Sequence, residues 1–116
     1  MQLLPSWKGN LSVKEYNVIV EALAWQDMLD IRRYVSKTLM APMAAKRIFL
    51  AIKAAIYTLE DNPMRHAVIP DEPCKWLGIR RLAVENYEAF YTLDSKNKKV
   101  CVIRVLYNRR EWQDLL

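Results

Sequence analysis

Arg80, Arg81, Arg104, Arg109 and Arg110, with Tyr107 and Trp112 beside the last of them, are the residues whose types and spacing suit chemistry on an anion. Arginine forks match the paired oxygens of phosphate and carboxylate groups, and neighbouring aromatic rings offer faces on which bases stack. From Trp76 onward eight basic residues stand against five acidic ones, so this region supplies +3 of the total net charge of +5. Such a balance permits an anionic partner without requiring one. The competing reading is that these are strand-flanking charges with local acid partners such as Glu88 and Glu111.

Other chemistry has weaker support. His66 is the single histidine and lies in a proline-rich stretch, where it reads as a solvated side chain rather than a base. Cys74, Cys101 and His66 lack the paired spacing of a metal site, and a strand cysteine such as Cys101 reads as a small core residue. Asp71-Glu72 reads as a solvated turn pair rather than a cation site. Ser12, Ser36 and Ser95 have no elbow motif and no histidine nearby, which disfavours a nucleophilic serine. With only two glycines there is no glycine-rich phosphate cradle. No metal and no cofactor is expected.

The elements that must position the arginines follow from hydrophobic period. A chain of 116 residues with 53% hydrophobic and 27% charged residues is one globular domain, not a disordered tail. Residues 1–13 read as a leader, disordered or held by a loose edge contact, and residues 14–116 as the domain. The start is no signal peptide, because Pro5 interrupts its short apolar run. No apolar run approaches the ~18–20 residues that span a membrane. Two cysteines without a secretory leader indicate a reduced cytoplasmic protein.

The alternation at residues 16–20 predicts a first strand. Trp25, Met28, Leu29, Ile31, Val35 and Leu39 recur at helical spacing over residues 22–40, with Asp27, Arg32, Arg33 and Lys37 largely on the other side. Pro42 opens a second helix, whose apolar stripe runs from Ala45 to Leu59 and whose outer face carries Lys46, Arg47, Lys53 and Glu60. Asn62-Pro63 stops it. Trp25 and Phe49 are expected in the core. Residues 64–75 read as a loop, and 76–84, 87–93 and 100–107 as three strands of an antiparallel meander. The fold class is α+β: β-α-α-β-β-β, a helical hairpin on one face of a small, mainly antiparallel sheet. Strict alternation on the last strand puts Val102, Arg104 and Leu106 on one side. A buried unpaired arginine is costly, so Arg104 is expected to mark a sheet face open to solvent or a partner.

With those residues in place the chain resembles the RelE/ParE superfamily of toxins. The resemblance rests on the element order, on Leu59-Glu60-Asp61-Asn62-Pro63, and on Gly78-Ile79-Arg80-Arg81-Leu82-Ala83-Val84-Glu85-Asn86-Tyr87-Glu88-Ala89-Phe90-Tyr91. The terminal Val102-Ile103-Arg104-Val105-Leu106-Tyr107-Asn108-Arg109-Arg110-Glu111-Trp112 carries it further, so that it spans residues 13–112. It implies the toxin of a bacterial type II toxin–antitoxin pair, with a cognate antitoxin as partner and no membrane.

Within that superfamily, RelE-like members cleave mRNA in the ribosomal A site and ParE-like members inhibit DNA gyrase. For a RelE-like, ribosome-dependent and metal-independent endoribonuclease, the catalytic candidates are Arg81, Arg104, Tyr107, Arg109 and Arg110. With no histidine on the sheet, Tyr107 is the candidate for proton transfer. The departures favour the other branch. Arg81 falls where RelE-like toxins keep a catalytic lysine, Glu88 falls where they keep an arginine, and Gln113-Asp114-Leu115-Leu116 has no counterpart of their terminal tyrosine. The ending Arg104-Val105-Leu106-Tyr107-Asn108-Arg109-Arg110 is similar to ParE-like sequences. A ParE-like gyrase inhibitor is therefore favoured, with Arg80, Arg81, Arg104, Arg109, Arg110 and Trp112 as target contacts. Lys46, Arg47, Lys53, Trp112, Leu115 and Leu116 are expected to meet the antitoxin. A non-toxic small basic interaction domain is the third reading.

Overall fold

The computed structural model of the chain describes residues 15–108. Strand β1, Asn17–Val20, leads into helix α1, Ala22–Arg33, a wider π-helical turn at Tyr34–Thr38, and helix α2, Pro42–Tyr57. Two 3-10 turns follow, Thr58–Glu60 and Pro63–Arg65, then a single helical turn α3, Cys74–Leu77. The meander is β2, Arg80–Val84, β3, Tyr87–Asp94, and β4, Lys99–Tyr107. The α+β class and the element order agree with the sequence reading. The leader 1–13 lies outside the described residues.

The breaks fall where backbone chemistry puts them. Met40 adopts a left-handed φ of 52° and Pro42 occupies the first turn of α2, so the chain reverses between the helices within a few residues. Asn62, with φ 51°, ends the second helical stretch, at a residue type that tolerates that region. One expected boundary is corrected. Residues 76 and 77 belong to α3, and β2 begins only at Arg80, because Gly78 at φ 70° closes the helical turn first. The backbone N–H of Trp76 donates to a Glu72 carboxylate oxygen at 2.9 Å, which accounts for part of the Asp71-Glu72 pair as a helix-turn cap.

The sheet runs β1-β4-β3-β2. β2, β3 and β4 form the antiparallel meander, while β1 lies parallel to β4 with Asn17 opposite Lys99 and Val20 opposite Val102. A parallel neighbour requires a crossover, and the helical hairpin supplies it. The main core lies between hairpin and sheet, where Met28, Ile52 and Ile56 meet Tyr91, Val102 and Val105. Trp25 is at its rim rather than inside it, 37% exposed, with its ring edge-on to Phe49 at 5.7 Å.

The second sheet face departs from expectation. It is not left bare: Ile69, Cys74 and Ile79 fold over Phe90 and Leu106 and bury both. Strict alternation on β4 also fails. Phe90 pairs with Arg104 but Tyr91 pairs with Val102, so β4 carries one extra residue, Ile103, as a bulge. Val102 and Val105 consequently share the helix-facing core, while Ile103 and Leu106 belong to the cluster on the other face.

Candidate functional site

Each described arginine of the expected site has a partner within its own chain. Arg80, on β2, donates through Nη1 to the carbonyl oxygens of His66 at 2.6 Å and Met64 at 3.3 Å, binding the loop to the sheet. Arg81 points to the other face, where its Nε lies 2.9 Å from Glu88 Oε1 on β3. Arg104 donates to Asp27 on α1 through Nε at 2.7 Å and Nη2 at 2.9 Å. The Arg104 pKa is raised, chiefly by that hydrogen bond. The expectation that Arg104 marks an open, solvent-facing sheet surface is therefore corrected. The bulge turns its fork back onto helix α1, and Asp27, expected on the outer side of that helix, is buried beneath it. The strand-flanking alternative holds for Arg81 and Glu88. Arg109, Arg110, Trp112, Leu115 and Leu116 lie outside the described residues.

Tyr107 closes β4 with its ring edge-on to Tyr87, centroids 5.6 Å apart. Burial, followed by the neighbouring Tyr107, Glu85 and Tyr34, holds the Tyr87 hydroxyl above the ordinary phenol value, the wrong direction for a base. The buried tyrosine of this sheet, Tyr91, has its pKa pushed up to about 12 by burial and donates to the Pro63 carbonyl at 2.6 Å. His66 stands off the sheet in the loop, its pKa lowered by desolvation and then by Arg65 and Arg80. Its Nε2 is the one buried side-chain nitrogen or oxygen among the described residues with no hydrogen-bond partner. No group of three or more metal-ligating side chains occurs among the described residues, and none of the described helices is long and apolar enough to cross a membrane.

A groove of about 980 Å³ opens between the turn of the helical hairpin and the β2–β3 turn. Tyr34, Leu39 and Ile48 form one wall and Tyr87 and Tyr107 the other, with Asp27 on its lining. At its rim Arg47 of α2 pairs with Glu85 of the β-turn at 2.7 Å, joining positions 38 residues apart. Lys46 and Lys53 are exposed on the outer side of α2. Sequence reasoning missed the groove, the Arg47–Glu85 link and the Asp27–Arg104 pair. The signal available was helical spacing: Asp27 lies three residues after Ala24 and four before Ile31, both on the core side of α1.

The architecture of a helical hairpin on this sheet agrees with comparisons to known proteins. The family described as the ParE toxin of the type II toxin–antitoxin system, parDE, matches residues 18–112, most of the chain. The chain belongs to the ParE toxin family.

Solved structures agree at the level of fold. A chromosomal ParDE toxin–antitoxin system from P. aeruginosa is similar with a TM-score of 0.66 at 19% identity, covering 82% of this chain and 98% of that one. The RelBE2 toxin–antitoxin complex of Mycobacterium tuberculosis gives 0.61 at 20% identity, covering 80% and 98%. An archaeal RelE–RelB complex from Pyrococcus horikoshii OT3 gives 0.50 at 17%, covering 83% and 98%. A search of curated proteins found no match. This ParE-family chain thus shares its fold with both the ParDE and the RelBE structures.

Proposed function

We propose that this ParE-family chain is a toxin that arrests growth by binding DNA gyrase and performs no cleavage of RNA, and that a cognate antitoxin neutralises it. The observation that carries this reading is the Arg81–Glu88 pair at 2.9 Å. A ribonuclease must stabilise charge developing on a phosphorane and move a proton from the ribose hydroxyl. Here a carboxylate on the neighbouring strand pairs with the cation and largely cancels its attraction for an approaching phosphate. Arg104 is committed to Asp27, and the raised Tyr87 and Tyr91 hydroxyls are poor bases at neutral pH. What these features support is binding.

Arg81, Arg109, Arg110 and Trp112 are the proposed target contacts. Arg80 and Arg104 act on the target only through the segments they hold in place. The antitoxin is proposed to contact the outer side of α2 through Lys46, Arg47 and Lys53, and the end of the chain through Trp112, Leu115 and Leu116. The groove bearing Tyr34, Tyr87 and Tyr107 borders the same helix.

The purified chain is tested against gyrase supercoiling and, separately, against translating ribosomes. The expected result is loss of supercoiling with intact message. Unaffected supercoiling at inhibitor excess overturns the reading, and cleaved ribosome-bound message replaces it with the nuclease. Induced expression without growth arrest replaces it with a non-toxic interaction domain.

A further inference from the structure

The loop that closes over the second sheet face ends in the single turn α3, and each backbone N–H from Lys75 to Ile79 has an acceptor. Lys75 donates to the Asp71 carbonyl at 3.0 Å, Leu77 to Pro73 at 3.0 Å, Gly78 to Lys75 at 3.2 Å and Ile79 to Cys74 at 3.0 Å. Glu72 takes the Trp76 N–H at 2.9 Å. Beneath the turn, Cys74 is buried in the cluster over Phe90. Trp76 lies roughly 160° around the turn from Cys74, on the side away from the sheet. It is 82% exposed, and Leu77 beside it is 51% exposed. Neither core cluster includes them. A partner that takes up this ring orders little backbone in doing so, and tryptophan is enriched among the residues that anchor interfaces.

Charge decides the kind of occupant. Within residues 71–77 the carboxylates of Asp71 and Glu72 outnumber the single ammonium group, Lys75, in a chain whose net charge is +5. All three side chains belong to exposed residues. Nucleic-acid phosphates and acidic peptides are disfavoured at such a spot, and a second copy would set the carboxylates of each chain against those of the other. We infer that Trp76 and Leu77 insert into an apolar pocket of a protein partner whose rim carries lysine or arginine. This rests on the gyrase reading, under which that partner is the target enzyme. The site adjoins a contact already proposed. Arg81 stands opposite Phe90 in the β2–β3 ladder, and Phe90 is the residue that Cys74 of α3 helps to bury. Trp76 and Leu77 are thus the apolar centre of the target-binding face, and the Arg81–Glu88 pair is its charged margin. The hairpin packs on the opposite side of the sheet and takes no part.

Gyrase holoenzyme is titrated with the full chain, and both binding and supercoiling are read for wild type and variants. Trp76→Ala weakens binding and inhibition by at least about 30-fold, as expected for a central aromatic anchor, and Trp76→Phe recovers part of the loss. Asp71→Lys weakens binding more at low salt than at high salt. Urea unfolding checks that the variants fold; where one does not, protection of Trp76 from hydroxyl-radical oxidation in the wild-type gyrase complex decides. If wild type inhibits gyrase, Trp76→Ala inhibits equally and Trp76 stays reactive in the complex, the site on α3 is overturned while the gyrase reading stands. A wild-type chain that neither binds nor inhibits gyrase removes both. Binding of the free chain to duplex DNA that is lost in Trp76→Ala assigns the site to nucleic acid. A wild-type dimer that becomes monomeric as Trp76→Ala assigns it to a second copy. Either result overturns the inference.

Discussion

Asp27 and Arg104, 77 residues apart in sequence, form a two-point ion pair: the Arg104 fork meets both carboxylate oxygens at 2.7 and 2.9 Å. One of those oxygens also accepts the Val105 backbone N–H at 2.9 Å. The pair joins helix α1 to the bulge of β4, and it supplies an acceptor to a backbone donor at the point where the ladder is irregular. Both side chains are largely out of water, at 10% and 17% exposure. Breaking such a pair is therefore costly, because it strands a desolvated charge.

Asp27→Asn is accordingly expected to destabilise the fold by about 3–5 kcal/mol. Adding Arg104→Met restores most of the loss, because the stranded charge is gone and the amide oxygen still accepts from Val105. Urea unfolding of the two single variants and the double variant measures the coupling. A double variant no more stable than Asp27→Asn alone would show that the charge is not what matters.

Tyr91 ties the loop to the core through its hydrogen bond to the Pro63 carbonyl. Tyr91→Phe leaves that carbonyl without its donor and is expected to cost about 1–3 kcal/mol. Burial raises its folded-state pKa to about 12, above the ordinary phenol value of 10.0. The folded chain holds the proton longer than the unfolded one, so stability is full below pH 10 and falls as pH rises toward 12. Alkaline unfolding curves of wild type should show this limb, and Tyr91→Phe should flatten it.

His66 gives the opposite limb. Its pKa is lowered from 6.5, first by desolvation and then by Arg65 and Arg80. The unfolded chain takes up the proton before the folded one. Stability is thus complete above pH 6.5 and declines as pH falls from there toward the lower folded value. Replacement by leucine, His66→Leu, is expected to remove this part of the acid dependence. The check is the slope of unfolding free energy against pH in the two proteins. An unchanged slope would assign the acid sensitivity to carboxylates instead.

Tyr107→Phe discriminates binding from catalysis. If the chain arrests growth by occupying its target, deleting the hydroxyl preserves the apolar ring that meets Tyr87 at 5.6 Å and leaves toxicity within about threefold of wild type. Proton transfer through this hydroxyl would instead make the loss about 100-fold or more. Plating efficiency after induction, with matched expression, reads the difference.

Much of the architecture was legible in the chain itself. The apolar stripe from Ala45 to Leu59 marked α2, and Pro42 and Asn62-Pro63 marked its limits. The Glu85-Asn86 turn aligned β2 with β3 so that Arg81 stands close to Glu88, and that local acid partner was visible in sequence. Such features are set by neighbours a few residues away, where period and turn chemistry act directly.

What sequence alone determined is thus the element order, the helix-facing stripe and the ParE-like family pattern. Only the tertiary structure decided what the arginines do. One inserted residue, Ile103, ends the strict alternation of β4. Arg104 then meets a carboxylate on α1 instead of solvent, and Arg80 closes on carbonyls of a loop that periodicity left unassigned. Hydrophobic period specifies faces, but a guanidinium group on a long stem takes the nearest desolvated oxygen, and which oxygen is nearest depends on how distant segments pack.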